Sequence, residues 1–566
     1  MFKANNSNTY IPAKSLSVKP EAQVPYGVGG SGNLLNQIKF NVPQYLGFID
    51  PRETYLKFKL TMEGRGNPKP DPRGGAHSLI RDIVIQDGTG STTLEEIQDY
   101  NALVNTWWDY TANQSINDKR DMYEGRSNSK DPDAQLYYAA REDWTAAAVE
   151  TNNEHLTPEL LLPLKTGIFG GGKVFPVVAT KGLRVSLNLA NVASSLVYND
   201  GNLGMENDLL PTTGNGYFSS AGAKANPADQ KAAADSEFNI LVKNPTEGGA
   251  GDRGVNANRL PYDNNPFEVG DRLYISLANG TSEASLGIIT QFAAGAGNDL
   301  QVSYCPDRPI GQSLGAPTAY PVDSRIFIKT ADRVNGLVYG ALTDTPAKFR
   351  VNNTPWGYRI EDLELICSVV SPPGEYVNRL MKQMSSGQGL NMDIKTYHTY
   401  RHNSNMLNGY TTQLIPATEQ RAYSIISVPV YNQGLRLNTD HSFKGGTAGL
   451  RNYQYVFGGK LIPDRPIDLT RYSNGSNNVE ALHLNELEKT LNNCGYVVRD
   501  LSKVPEHFFI GRAFSKYGQV FNLKERDLSL RVELDGAPAN TERTYYHFVC
   551  HLRRLVIGPN GVQVIW

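Results

Sequence analysis

The chain alternates between apolar and polar positions over many short stretches. In "YLKFKLTM", Leu56, Phe58, Leu60 and Met62 fall on one side and Lys57, Lys59 and Thr61 on the other. "GLRVSLNLAN" repeats the pattern with Leu183, Val185, Leu187 and Leu189, and "DLSLRVEL" with Leu528, Leu530, Val532 and Leu534. A period of two predicts strands with one buried face. Further strands are predicted at "NQIKFNV", "SLIRDIVIQD", "YRIEDLELICSVV", "RAYSIISVPV", "HFFIGRAF", "YYHFVCHLRRLVIG" and "GVQVIW", most of them bounded by Gly, Pro, Asn or Asp. Helices are few. One follows Glu96 in "LEEIQDYNALVNTWWDYT", and a second, "PPGEYVNRLMKQM", places Val377, Leu380 and Met381 on one face. A third, "NNVEALHLNELEKTLNN", has Leu484, Leu487 and Leu491 at helical spacing and asparagines suited to cap its start. Strands outnumber helices and do not alternate with them, which argues for antiparallel sandwiches over a parallel sheet with crossover helices.

From about Ser194 to Ala331 the text turns rich in Gly, Ala and Asn. Within it "PFEVGDRLYISL", "LGIITQF" and "DLQVSYC" read as short strands, and "EFNILV" and "SRIFIK" as two further apolar pieces. A compact domain rarely holds so long a structureless loop. The segment is therefore expected to be a small β-module inserted between two strands of the first domain.

Composition adds bounds. A chain of 566 residues predicts two or three domains. With 40% hydrophobic and 20% charged residues it can bury a sizeable core. A net charge of −2 gives no general attraction to nucleic acid or to an anionic membrane. The 53 Gly, 32 Pro and 30 Tyr fit a chain broken often by turns and rich in a strand-favouring aromatic. The opening "MFKANNSNTYIPAKSL" has no apolar run of signal-peptide type, and no stretch approaches the roughly 18 to 20 apolar residues that span a bilayer, so neither export nor membrane insertion is expected. Cys305, Cys367, Cys494 and Cys550 stand singly, without C-x-x-C, and are expected as buried free thiols.

Candidate chemistry is thin. "GIFGGGKVFP" sets Gly167, Gly172 and Lys173 at the first fixed positions of a phosphate-binding P-loop. Val174 stands where that loop needs a Ser or Thr for magnesium, and Phe175, Pro176, Val177 and Val178 favour a strand over a helix N-terminus. The words recur: Phe169-Gly-Gly-Gly-Lys173 is echoed by Phe457-Gly-Gly-Lys460, each followed by an apolar pair and a proline. The two copies lie close to half a chain apart and hint at two related halves. His398 and His402 form H-x-x-x-H, but the segment reads as a strand, where positions four apart lie about 13 Å from each other. No G-x-S-x-G occurs; "GGSGN" at Gly29 fails at its last position. "ERDLSLRVELD" mixes carboxylates and arginines on the polar side of a strand, as a solvated or intersubunit face does. Arg553 and Arg554 in "HLRRL" could form a nucleic-acid patch, but a sheet-edge or interface pair is the expected reading. Lys3, Lys14 and Lys19 lie in an arm expected to gain order from neighbours. No catalytic, cofactor-binding or metal-ligating residue is assigned, and no cofactor.

The order of the pieces resembles the double jelly-roll major capsid proteins, the lineage of adenovirus hexons, virophages and Polinton-like viruses. The matching words are "GAHSLIRDIVIQDGTGSTTLEEIQDYNALV", "LLLPLKTGIFGGGKVFPVVATKGLRVSLNLA" and "YRIEDLELICSVV" with the helix after "SPPGEY". The second half contributes "EQRAYSIISVPV", "YVFGGKLIPDRPIDL", the Leu-rich helix and "CHLRRLVIGPNGVQVIW". The resemblance spans most of the chain except the inserted module and the arm, and no single motif is diagnostic. It implies an all-β protein of two consecutive eight-stranded jelly rolls: residues 1–30 an N-terminal arm, 31–193 and 332–387 the first roll, 194–331 an inserted tower module, and 388–566 the second roll. It further implies a non-enzymatic structural protein of a DNA virus, a homotrimer forming pseudo-hexameric capsomers that tile an icosahedral shell. Its expected location is the virion and its expected partners are itself, penton and minor capsid proteins, with inner-membrane or genome contact through the arm and no small-molecule substrate. Trp107, Trp108 and the tyrosines are expected at subunit contacts. The alternative is a β-sandwich fibre or adhesin that binds a receptor or glycan; a β-rich hydrolase finds no supporting constellation.

Overall fold

The computed structural model describes residues 13–565 apart from intervening segments, the longest being 127–158, 199–216, 220–237, 244–270, 307–324, 329–355 and 432–446. In the first half, eight strands pair into two antiparallel sheets: β1 (Ala13–Val18), β3 (Gln37–Val42), β4 (Phe48–Glu63), β6 (Ile80–Asp87), β7 (Thr93–Ile97), β8 (Glu159–Leu162), β9 (Leu183–Leu189) and β17 (Gly357–Val370). The sheets run β1-β17-β4-β8 and β3-β9-β6-β7, and β2 (Tyr26–Gly29) adds to β17. The second half holds β18 (Leu390–Ser404), β19 (Gly409–Ile415), β20 (Ala422–Tyr431), β21 (Leu450–Phe457), β22 (Lys460–Asp468), β23 (Ile510–Ala513), β24 (Leu528–Leu534) and β25 (Arg543–Gly558). They form β18-β25-β20-β23 and β19-β24-β21-β22, and β26 (Gly561–Ile565) adds to β25.

Counted along the chain, both halves obey one rule. One sheet takes the first, eighth, third and sixth strands, and the other takes the second, seventh, fourth and fifth. This is the jelly-roll order, two Greek keys folded into a sandwich, and the chain carries it twice. The alternation explains why: in β9 Leu183, Val185, Leu187 and Leu189 are buried, and in β24 Leu528, Leu530, Val532 and Leu534. Each such side chain contributes about 1.5–3 kcal/mol by leaving water.

The turn echo does not mark this duplication. The loop 167–176 joins the sixth and seventh strands of its roll, whereas Gly458 and Gly459 close the hairpin between the fourth and fifth strands of theirs. Those two glycines have φ of 54° and 80°, as a two-residue hairpin turn matching the strand twist requires. Their structural counterpart in the first roll is the turn 87–92. There the Asp87 carboxylate accepts from the Ser91 and Thr92 amides at 2.9 and 3.2 Å.

Residues 13–29, expected within an arm, instead supply β1 and β2. β1 pairs with β17 in register from Ala13↔Val370 to Val18↔Leu365, which gives that sheet its first strand. At the far end of the same roll, β10 (Leu196–Tyr198) pairs with β5 (Pro68–Pro70). Beyond it lies a closed six-stranded barrel of β11 (Tyr217–Ser219), β12 (Phe238–Lys243), β13 (Arg272–Ser276), β14 (Glu283–Ala294), β15 (Leu300–Pro306) and β16 (Arg325–Ile328). The Tyr358 hydroxyl donates to Ala190 O at 2.6 Å, tying the start of β17 to the end of β9. The barrel segment thus leaves the roll at the end opposite to Ala13 and Val370.

The three expected helices are α1 (Tyr100–Trp107), α3 (Gly374–Ser385), which links the rolls, and α4 (Ala481–Cys494); a short α2 (Val192–Ser195) follows β9. Asn477 and Asn478 lie outside the described residues; α4 has Glu480 at its N-cap without a side-chain cap bond, and ends on Gly495 at φ 96°.

Candidate functional site at the seam between the rolls

The strand β7 and helix α1 of the first roll face β18, β25 and α4 of the second. Arg401 Nε donates to Asp99 Oδ2 at 2.6 Å, and its Nη2 donates to the other carboxylate oxygen. Thr399 Oγ1 donates to Gln98 O at 2.6 Å, and Arg553 Nη1 to Leu94 O at 2.8 Å. Arg81, Asp82, Gln98, Asp99, Thr399 and Arg401 line a polar cleft of about 410 Å³ along this line. Burial raises the Asp99 carboxyl above its ordinary value, against the pull of Arg401. Beside the cleft, Trp107 stacks on Tyr496 at 3.8 Å between ring centres, and Tyr110 meets Phe509 edge-on at 5.2 Å. The Arg499 amide donates to Tyr110 O at 2.7 Å.

The glycine-rich loop belongs to the same seam. Its amides face a carboxyl group, and that group is the chain's own: Gly167 N–H donates to Glu95 Oε1 at 2.5 Å and Ile168 N–H to Glu95 Oε2 at 2.9 Å. Glu95 is fully buried. Burial raises its pKa, opposed by these amides and by the Arg553 charge. A Cβ on Gly167 would stand 2.3 Å from Lys395 O of the second roll, so glycine permits the close approach. Lys173 Nζ donates to Asp393 O at 3.4 Å, and Phe175 pairs with Ile49 as a β-bridge. Glu95 thus takes up the loop's amides.

The remaining candidates disperse. His398 and His402 lie on β18, where His398 Nδ1 pairs with the buried Glu419 Oε1 at 2.6 Å and Tyr400 OH donates to the same oxygen at 2.7 Å. Among the described residues no group of three or more His, Cys, Asp or Glu side chains is placed to hold a metal ion. Arg553 is buried in the seam, and Arg554 forks onto Asp393 at 2.7 and 2.9 Å, so the pair forms no free basic patch. Lys19 pairs with Glu364, Lys14 lies on β1, and Lys3 is outside the described residues. On the mixed face of β24, Glu533 meets Arg451 at 3.6 Å. Cys367, Cys494 and Cys550 are buried free thiols, whereas the side chain of Cys305 is outside the described residues. No helix among the described residues is long and apolar enough to cross a membrane.

The tryptophans correct an expectation. Trp107 is buried inside the subunit, and Trp108 sits half-buried with Lys165 Nζ at 4.2 Å and Arg120 at 4.5 Å from its ring. Cation–π contact and the Glu124 carboxylate, which accepts from its indole N–H at 3.1 Å, hold it there. The exposed apolar side chains are others. Tyr45 is 81% exposed on the short turn before β4. Tyr410 and Leu414, 55% and 59% exposed, project from the outward side of the edge strand β19, with Arg531 4.0 Å over the Tyr410 ring. Nothing in the local pattern separates these from core aromatics.

No family model matches the chain, and no curated protein matches it. Solved structures do. The Faustovirus major capsid protein is similar over 99% of this chain and 92% of its own, at 9% identity and a TM-score of 0.47. The PBCV-1 virus capsid gives 100% and 99% coverage, 9% identity and a TM-score of 0.44. The mavirus major capsid protein gives 100% and 93%, 10% and 0.39. By its own strand order the chain is a double jelly-roll protein, and the solved structures it is similar to are viral capsid proteins.

Proposed function

We propose that this chain is a viral major capsid protein, a non-enzymatic subunit that trimerises into pseudo-hexameric capsomers and resides in the virion. Two complete jelly rolls in one chain, bound side by side through a buried polar seam, carry the reading. Single rolls serve lectins and cupins as well as capsids, but a locked tandem supplies two near-equivalent wedges per subunit, and three subunits supply six. A closed trimer leaves its flanks free to meet other trimers. The exposed Tyr410 and Leu414 on β19, an edge strand among the described residues, suit such contacts. The inserted segment 194–331 leaves the roll opposite the chain start, which supports a role as an outward tower carrying surface identity. Penton and minor capsid proteins, and a membrane or genome beneath, are the further partners this reading implies. Electron microscopy of the purified protein tests it. Three-fold particles of hexagonal outline that tile into sheets or shells are expected; particles that never tile under any assembly condition would overturn it.

A further inference from the structure

The last residue of α4, Cys494, ends against the outer face of the second roll. Its sulfur lies 2.9 Å from Ser424 Oγ, and Ser424 stands directly opposite Cys550 in the β20–β25 register. On its other side Cys550 is opposite Tyr397 of β18. Ser424 thus places the two sulfurs on the same face of the sheet, and both thiols are buried. Lys395 Nζ sits at the end of the helix, donating to Asn493 O at 3.0 Å. Two residues beyond Cys494, Tyr496 makes the stack on Trp107 of the first roll.

From this juxtaposition we propose that Cys494 and Cys550 are an oxidisable dithiol, and that their disulfide is a covalent latch holding the end of α4, and with it the seam, on the second roll. The roles are unequal. Burial works against a Cys494 thiolate, but hydrogen bonds from Cys550 and Ser424 and the Lys395 charge hold its pKa below the usual thiol value. Donating to Cys494, together with burial, raises that of Cys550. The thiolate is the nucleophile in such chemistry, so Cys494 attacks and Cys550 resolves. With hydrogen peroxide as the two-electron oxidant, the Cys494 sulfur takes one peroxide oxygen as a sulfenic acid, and the other oxygen leaves as hydroxide and gains a proton to become water. The Cys550 sulfur then attacks the Cys494 sulfur and displaces its hydroxyl, which leaves as a second water with the Cys550 proton. Two thiols and one peroxide become one disulfide and two waters. Cys367, buried on β17 with its pKa raised by burial to about 12, is outside the pair and serves as the control.

The test is oxidation of the reduced, folded full chain with hydrogen peroxide, followed by alkylation, unfolding and peptide mass mapping. The expected product is a Cys494–Cys550 linked peptide, lighter by two hydrogens than the sum of its parts. The Tm should rise by several degrees, as closing a long loop does. Cys367→Ser should leave the link intact, whereas Cys494→Ser and Cys550→Ser should each abolish it. Because the decisive readout is on the unmutated protein, a variant that fails to fold does not blunt the test. Two free thiols at these positions after oxidation and unfolding would overturn the proposal, as would sulfinic acid at Cys494 without a link.

Discussion

Two residues carry the seam at the smallest scale. Glu95 accepts from two loop amides and, with Glu96, acts on Arg553, so Glu95→Ala leaves buried donors unmet and removes one of two carboxyls near a buried guanidinium. Leaving buried donors unmet costs about 1–3 kcal/mol, and chemical denaturation should show a loss of that size. Gly167→Ala tests the close approach: its Cβ would meet Lys395 O at 2.3 Å, and overpacking of this kind costs about 1–3 kcal/mol. Gly374→Ala is the matched control, since a Cβ there meets nothing within 4 Å at the start of α3 and should be neutral or slightly stabilising. If both alanines behaved alike, the glycine would not be positioning the loop. None of this was legible locally. The loop's words read as a turn and argued against a phosphate cradle; the carboxyl that its amides meet lies 72 residues away, and only the folded sheets bring the two together.

At the scale of elements, alternation exposed most strands because a sandwich strand has one wet and one dry face. It could not expose β11, three residues long, which closes the barrel by pairing with β12 and β16. Nor could it place Trp107 and Trp108, since a helix beside a strand end can turn either way until its partner, here Tyr496, is known. The second roll also buries three histidines, one on α4 and two on β25. His483 of α4 and His551 of β25 have pKa values lowered to about 4, and His547 of β25 to about 3, in each case chiefly by burial. The sign follows. Between those values and about 6.5 the unfolded chain binds protons that the folded chain refuses, so stability falls as pH drops through that window, by up to about 1.4 kcal/mol per pH unit for each histidine. The raised carboxyls Glu95 and Asp99 act in the opposite sense and soften the slope. Melting temperature measured from pH 7 to pH 4.5 should decline. His483→Gln, which keeps a donor near Phe509 O, should flatten the decline; an unchanged slope would remove His483 from the account.

At the scale of the molecule, the division into two rolls was visible in the ordered set of strand words, while the apparent internal echo of Phe-Gly-Gly-Lys was a shared local turn solution at non-equivalent positions. The true repeat is the strand order, which leaves no trace in residue identity because many sequences satisfy the same alternation. On the proposed reading the duplication matters for assembly, because two like wedges fixed by the seam would let three subunits present a six-sided outline. Charge substitutions at Tyr410 and Leu414, such as Leu414→Glu, should weaken self-association while leaving the subunit fold intact by circular dichroism. Unaltered assembly would move the contact to another face. The most direct test of the central claim is the mass of the purified protein in solution by size exclusion with light scattering. The account predicts a species of three times the 62.3 kDa subunit, persisting on dilution. A monodisperse monomer at every concentration and salt condition would contradict it.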